Sequence, residues 1–272
     1  MSLSARFLSL FVLCCVPFAM RAEEILPASA ERIGWEGVGR LEMAGEGTCT
    51  GALIAPDLVL TAAHCVMDAE NTPLAPEKIT FRAGLREERH VAASRGAAVA
   101  VMPGFETAER ETGDHLRRDV ALVKLASPIP AALARPYALH GPTGPEGDLT
   151  VASYGQPQND VMTIQRACHL LDASQGLYAF DCYINYGSSG APVFAEDQGR
   201  LAIVSLVSSM GEAGGRRVGY GMSLSGKVEA LKRQLALGVP SSEVKAAVVK
   251  RITVGGGTSS RAVGNSKFLS AE

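Results

Sequence analysis

Three short segments of the chain carry residue types that could together activate a serine hydroxyl for attack on a carbonyl group. They are residues 61–65, which contain His64; residues 119–125, which begin with Asp119; and residues 187–192, which contain Ser189. A serine hydroxyl is a poor nucleophile until a base removes its proton, and a neutral imidazole suits that task near neutral pH. A buried carboxylate can orient the imidazole, and backbone N–H groups can stabilise the oxyanion that develops. Glycines beside a serine permit the tight turn that aims such groups.

Other residues near these segments offer alternatives. Asp114 lies close to Asp119, but only Asp119 directly precedes an apolar run. Ser188 adjoins Ser189, but the position of Ser189 relative to the following glycine and proline favours Ser189 as the nucleophile. We expect structural or surface roles for the remaining histidines, which are His90, His115, His140 and His169.

The three segments, in the order His, Asp, Ser, resemble the catalytic segments of the trypsin/chymotrypsin family of serine proteases. The apolar residues 53–62 resemble the strand that precedes the family's catalytic histidine. Cys49 and Cys65 match the disulfide that brackets that histidine. Residues 187–192 resemble the family's Gly-Asp-Ser-Gly-Gly-Pro loop, and the resemblance spans about residues 33–237.

The resemblance implies peptide-bond hydrolysis through an acyl-enzyme, with a protein or peptide as the partner and no metal or organic cofactor. In that scheme His64 acts first as general base and then as general acid, Asp119 orients it, and Ser189 attacks the scissile carbonyl. The N–H groups of Gly187 and Ser189 are then expected to form the oxyanion hole.

Two positions depart from the family's pattern. Ser188 stands where the family usually has an aspartate, which pairs in trypsin-like zymogens with the N-terminal amine released by cleavage. Arg32, Ile33 and Gly34 resemble such a cleavage site, but without an acid at position 188 we do not expect activation by insertion of a new N terminus. Bacterial members similar to glutamyl endopeptidases also lack this aspartate, which favours a bacterial-type branch. Ala191 replaces a usual glycine and adds one methyl group.

Substrate-binding residues are also assigned by resemblance. Tyr183 is expected at the base of the primary pocket, where trypsins place an aspartate, which argues against a preference for Lys or Arg. Ser205, Leu206 and Val207 resemble the strand that pairs with the backbone of the substrate.

The elements that must position these residues are short strands. Brief apolar runs rich in β-branched residues alternate with Gly, Pro and Asp, at 51–54, 58–61, 79–83, 120–125, 149–152 and 201–207. The Pro-rich residues 128–147 indicate a linker between two strand-rich halves. With the resemblance, the chain is expected to be all-β, with two antiparallel six-stranded barrels at about 33–133 and 137–225. Apolar residues at helical spacing predict a C-terminal helix at 227–237.

The ends of the chain have a different composition. Arg6 precedes an apolar run that ends in small residues, which predicts a signal peptide at residues 1–22; an uncleaved membrane anchor is the alternative. Residues 238–272, with a short helix near 241–249, are expected to form a flexible tail, and a partner-binding segment or a removable propeptide are alternatives. The signal predicts a secreted or periplasmic protein.

Four cysteines remain after the signal segment: Cys49, Cys65, Cys168 and Cys182. Local proximity favours the pairs Cys49–Cys65 and Cys168–Cys182 among the three possible pairings. Free thiols or a metal site are the alternatives, but no two of these cysteines have the short spacing typical of zinc sites.

The charge balance excludes some classes of partner. A formal net charge of −2 gives no sign of a nucleic-acid partner or, once the signal is removed, of a membrane surface. We expect a monomer. Two rival functions stay open: a catalytically silent binding protein on the same fold, and an esterase with the same triad.

Overall fold

The computed structural model describes residues 24–25, 33–107, 112–141, 144–213 and 215–238. Its first element, β1 (Glu24–Ile25), is a two-residue strand. The signal segment and all of the predicted tail except Gly238 lie outside the described residues, as does the predicted short helix near 241–249.

The first barrel is built from six antiparallel strands. They are β2 (Val38–Met43), β3 (Gly47–Ala55), β4 (Leu58–Thr61), β5 (Ile79–Ala83), β6 (Ala92–Val101) and β7 (Ala121–Leu125). The sheet closes in the order β2-β3-β4-β7-β6-β5. Alternation of buried and partly exposed residues along β5, with Ile79, Phe81 and Ala83 buried, shows why its apolar residues form a strand with one face in the barrel core.

The second barrel also has six antiparallel strands. They are β8 (Asp148–Ser153), β9 (Thr163–Ser174), β10 (Leu177–Phe180), β11 (Pro192–Asp197), β12 (Arg200–Ala213) and β13 (Arg216–Met222). The order β9-β10-β13-β12-β11-β8 is closed by pairing of β8 with β9, and β1 adds to the other side of β9.

Two helices complete the described chain. The short helix α1 (Gly113–Arg118) precedes β7, and its N terminus is capped by Thr112. The C-terminal helix α2 (Lys227–Leu237) buries Val228 and Leu231 and packs on β6 and β7 of the first barrel. It ends at Gly238, whose left-handed conformation terminates the helix.

An aromatic cluster joins the two barrels. Phe194 of β11 is fully buried, and its ring meets Trp35 edge-on at 5.4 Å and Tyr137 at 4.8 Å between ring centroids. Edge-to-face contacts at these distances are favourable and hold the barrels together. The expected fold class, two six-stranded antiparallel barrels with a C-terminal helix, is confirmed.

Candidate active site

Neighbouring strands of the first barrel bring His64 and Asp119 together. Thr61, the last residue of β4, pairs with Ala121, the first residue of β7, so the residues just beyond both strand ends share one edge of the barrel. His64 Nδ1 lies 2.8 Å from Asp119 Oδ2, and the His64 backbone N–H donates to Asp119 Oδ1 at 2.9 Å. Two bonds to one carboxylate fix both the position and the ring orientation of the histidine.

Asp119 is buried and receives a third hydrogen bond from the second barrel. Only 3% of Asp119 is exposed, and the hydroxyl of the buried Ser208 donates to its Oδ2. Ser208 lies in β12 where the register with β13 shifts, between Val207 and Ser209. Charge-assisted bonds of this kind compensate for burying a carboxylate. Sequence reasoning did not identify Ser208. It is a single serine in an apolar strand, and the sequence does not reveal the bulge at this position.

A cavity of about 1130 Å³ lies between the barrels, and His64, Asp119 and Ser189 all line it. The first barrel contributes His64 and Asp119, and the loop before β11 contributes Gly187 and Ser189. The structure therefore brings the three residues predicted to form a triad to one cleft.

The two adjacent serines face different surroundings. Ser188 is 1% exposed, and its hydroxyl donates to the hydroxyl of Ser153 at 3.3 Å inside the second barrel. Ser188 is not among the residues that line the cavity, whereas Ser189 is. The hydroxyl available to a ligand in the cleft is therefore that of Ser189.

The loop before Ser189 has the tight geometry that its glycines allow. Gly187 has a φ of +92°, and a Cβ there would lie 2.5 Å from the carbonyl oxygen of Tyr154. Only glycine fits this position. Among the described residues no acceptor pairs with the N–H of Gly187 or of Ser189, the two groups predicted to form an oxyanion hole.

The residues assigned to substrate binding occupy different environments. Val207 lines the cavity, but Ser205 and Leu206 are fully buried and pair with β11. Tyr183 is 44% exposed, is absent from the cavity lining, and lies under the guanidinium of Arg217 at 4.8 Å. Their roles in substrate binding stay predictions.

Residues next to Ser189 and Val207 in the chain also line the cavity. They are Ile184, Asn185 and Tyr186 before Ser189, and Ser208, Ser209 and Met210 after Val207. Val207, the last of the three residues assigned to substrate binding, directly precedes Ser208, where the register of β12 with β13 shifts.

Both expected disulfides are present. Cys49–Cys65 joins β3 to the turn that begins at His64, and Cys168–Cys182 joins β9 to the segment after β10. The one cluster of potential metal ligands among the described residues is Cys49, His64 and Cys65. Since both sulfurs are bonded to each other, they are not the thiolates that a metal ion requires.

Asp114, the alternative to Asp119, and the histidines other than His64 either have local partners or lie outside the cavity. Asp114 is largely exposed and pairs with Arg117 on its own helix. His115 reaches the cavity, but its ring accepts the N–H of Thr112 at the start of α1. His90, His140 and His169 do not line the cavity.

Known proteins resemble this chain in sequence and in structure. The serine protease SP24D of Anopheles gambiae is 29% identical over 170 residues, which are 56% of this chain and 59% of that protein. A trypsin-like protease of Streptomyces glaucescens is 29% identical over 187 residues, which are 59% of this chain and 64% of that protein. The chain thus spans less than two thirds of the length of these relatives.

Among solved structures, a Glu endopeptidase in complex with MPD superimposes with a TM-score of 0.63 over 79% of this chain and 98% of that chain, at 15% identity. That likeness supports the two-barrel fold. The sequence profile of the trypsin-like peptidase domain matches residues 49–202, which run from the first cysteine of the His64 disulfide, through Ser189, into β12. With this match over more than half of its length, the chain belongs to the family of trypsin-like peptidase domains.

Proposed function

We propose that the protein is a serine endopeptidase that hydrolyses peptide bonds through an acyl-enzyme, with His64, Asp119 and Ser189 as its triad. The observation that carries this proposal is the 2.8 Å contact of His64 Nδ1 with the buried Asp119, in a cleft that Ser189 also lines. Membership of the trypsin-like peptidase family supports the same chemistry.

The His64–Asp119 contact decides which ring nitrogen can act as a base. Because Asp119 Oδ2 accepts a hydrogen bond at Nδ1, the neutral ring carries its proton there and Nε2 keeps a lone pair. Nε2 then takes the proton of the Ser189 hydroxyl as that oxygen attacks the scissile carbonyl. The resulting imidazolium is stabilised by Asp119 and later gives its proton to the leaving amine.

The developing oxyanion needs donors that are already in place. The N–H groups of Gly187 and Ser189, which have no protein acceptor among the described residues, are the candidates. Such preorganised donors stabilise the tetrahedral intermediate more than the planar carbonyl, and this difference lowers the barrier.

The substrate is a polypeptide bound as an extended strand. Both backbone groups of Val207 are still bonded to Gly190 and Ala191, so only beyond the bulge at Ser208 can the edge of β12 that faces the cleft pair with a peptide backbone. The residue on the acyl side of the scissile bond then lies beside Ser189, among Ile184, Val207 and Met210.

The composition of this part of the cavity favours an apolar side chain. Its Ile184 packs against the buried Gly219, the register partner of Met210, where an added Cβ would lie 2.8 Å from Cγ1 of Ile184. A Lys or Arg side chain would find no acidic side chain among these residues to offset its desolvation.

The compartment and partners follow from the same features. Two disulfides support an oxidising location, secreted or periplasmic, in line with the predicted signal at residues 1–22. No helix among the described residues is long and apolar enough to span a membrane. A monomeric protease domain at residues 33–237 and a tail at 238–272 remain part of the proposal.

Labelling by a fluorophosphonate probe tests the proposed function. The purified protein should be labelled and should cleave casein, and Ser189→Ala should abolish both. Absence of labelling on folded protein would favour a silent binding protein. Turnover of simple esters without turnover of peptides would instead indicate an esterase.

A further inference from the structure

The loop that carries the proposed oxyanion hole is already formed while the chain is continuous through Ile33. Its turn is closed by two backbone bonds, from Ser188 N–H to Asn185 O at 3.0 Å and from Ala191 N–H to Ser188 O at 2.9 Å. Ile33 is 83% exposed, whereas Ser188 is 1% exposed inside the second barrel. The described start of the domain is therefore at the surface, away from the residue that precedes the nucleophile.

Within the part of the chain that the structure describes, no ion pair supports this loop at position 188. The Ser188 hydroxyl donates to the hydroxyl of Ser153 at 3.3 Å and accepts the N–H of Asn185 at 3.4 Å, and all of these groups are uncharged. A neutral hydroxyl pair at 3.3 Å is a weaker restraint than a buried acid–amine ion pair. Other contacts must therefore fix the direction of the backbone on either side of Ser188.

Thr50 of β3 supplies those contacts from the first barrel. Its backbone N–H donates to the carbonyl of Ser189 at 2.9 Å, and its hydroxyl donates to the carbonyl of Gly187 at 2.8 Å. Thr50 therefore holds the carbonyls on both sides of Ser188, and it is itself fully buried.

The hydroxyl of Thr50 is in turn held by the second barrel. It accepts the N–H of Tyr154 at 2.9 Å, the residue whose carbonyl oxygen closely approaches Gly187. The Thr50 carbonyl accepts the hydroxyl of Thr61 at 2.9 Å. The hydroxyl has one proton to donate, and because the N–H of Tyr154 donates to one of its two lone pairs, that proton is directed to the carbonyl of Gly187.

We propose that Thr50 is a positioning residue that holds the oxyanion loop in its working conformation, so that the site is formed without a free N terminus at Ile33. The hydroxyl replaces, by neutral hydrogen bonds across the barrel interface, the ion pair that trypsin-like zymogens form on cleavage. This inference rests on the proposed peptidase function.

Kinetics of Thr50 variants test the role of the hydroxyl. Thr50→Val keeps the β-branched shape but removes the donor to Gly187, so kcat on a chromogenic peptide should fall about 10–100-fold while KM changes by less than about threefold. Thr50→Ser retains the hydroxyl and should stay within about threefold of the wild type in kcat. A control is Thr80→Val, a partly buried threonine in β5 outside the cavity, which should keep wild-type kcat.

The outcomes separate the two proposals. If the wild type itself turns over no peptide, the peptidase function fails. If the wild type is active and folded Thr50→Val keeps wild-type kcat, or if Thr50→Ser loses as much kcat as Thr50→Val, the role of Thr50 is refuted. Thermal unfolding of each variant checks that the fold is retained.

A second measurement needs no Thr50 variant and covers the case in which Thr50→Val does not fold. This measurement compares the kcat of the protein with an intact Arg32–Ile33 bond and the kcat of the protein cleaved at that bond. Mass spectrometry verifies the state of the bond. We expect the two values to agree within about twofold, because the loop is held by hydrogen bonds that the cleavage does not touch. Activity that appears only after cleavage would overturn the inference.

Discussion

Replacing Ser208 by alanine tests whether the hydrogen bond from β12 to the buried carboxylate matters for catalysis. The substitution removes one hydroxyl that donates to Asp119 Oδ2 and leaves the backbone of the bulge unchanged. Asp119 then keeps its two bonds to His64 but loses the donor that arrives from the other barrel. The orientation of His64 and the stabilisation of the charged pair both depend on this carboxylate.

The size of the effect follows from the surroundings of Asp119. A hydrogen bond to a charged group contributes about 1.5–3 kcal/mol. Since two other donors remain, we expect the lower end of this range, about 1.5 kcal/mol, which corresponds to roughly a tenfold loss of kcat/KM. The loss should appear in kcat, because Ser208 does not change the apolar residues that form the pocket.

The assay is steady-state hydrolysis of a chromogenic peptide by Ser208→Ala beside Ser94→Ala. Ser94 is a suitable control because it is also a buried serine, in β6 of the first barrel, and it does not line the cavity. Wild-type kcat/KM in Ser208→Ala, or an equal loss in both variants, would refute the reasoning.

Three further outcomes are expected. Removal of the Cys49–Cys65 disulfide by double substitution with alanine should cost about 3 kcal/mol for a separation of 16 residues and lower Tm by about 6–12 °C, measured by calorimetry; an unchanged Tm would contradict this. Burial raises the pKa of Glu42, but hydrogen bonds and charge from Arg40 and Arg82 outweigh it and hold the pKa below 4.5. Glu42→Gln should therefore destabilise the protein near neutral pH, and its deficit in denaturant unfolding should shrink as pH falls below 4.5, whereas a deficit independent of pH would exclude the ion pair as its cause. Cleavage of a peptide library should show an apolar residue on the acyl side of the scissile bond, and a strong preference for Lys, Arg or Glu would refute the proposed pocket.

Sequence reasoning assigned residues to the cleft where the neighbouring residues form a recognisable pattern. His64 and Asp119 each adjoin a short apolar run, and such runs formed paired strands whose ends meet. The disulfides could be predicted because each cysteine lies within a short stretch of its partner. Local apolar pattern predicted the strands and local proximity the disulfides, whereas the two barrels and the cleft residues were predicted from the resemblance of three segments to a known family.

The residues that sequence reasoning missed depend on how distant segments dock. The hydroxyl of Thr50 meets the carbonyl of Gly187 across 137 residues of sequence, and no pattern around Thr50 signals this contact. Ser208 donates to Asp119 from the point where the register of β12 with β13 shifts, and the sequence around Ser208 does not reveal that shift. Strand register and barrel docking are properties of the packed molecule, and a single sequence does not show them.

The path of the chain after the second barrel affects how the cleft can move. From β13 the chain crosses back, and α2 lies against β6 and β7 of the other barrel, with Val228 and Leu231 buried there. The helix therefore acts as a clamp between the two halves, on a face that the cleft does not occupy. Moving the barrels apart would break this apolar contact, so we expect the groove to keep a nearly constant width and the proposed polypeptide substrate to enter it already extended.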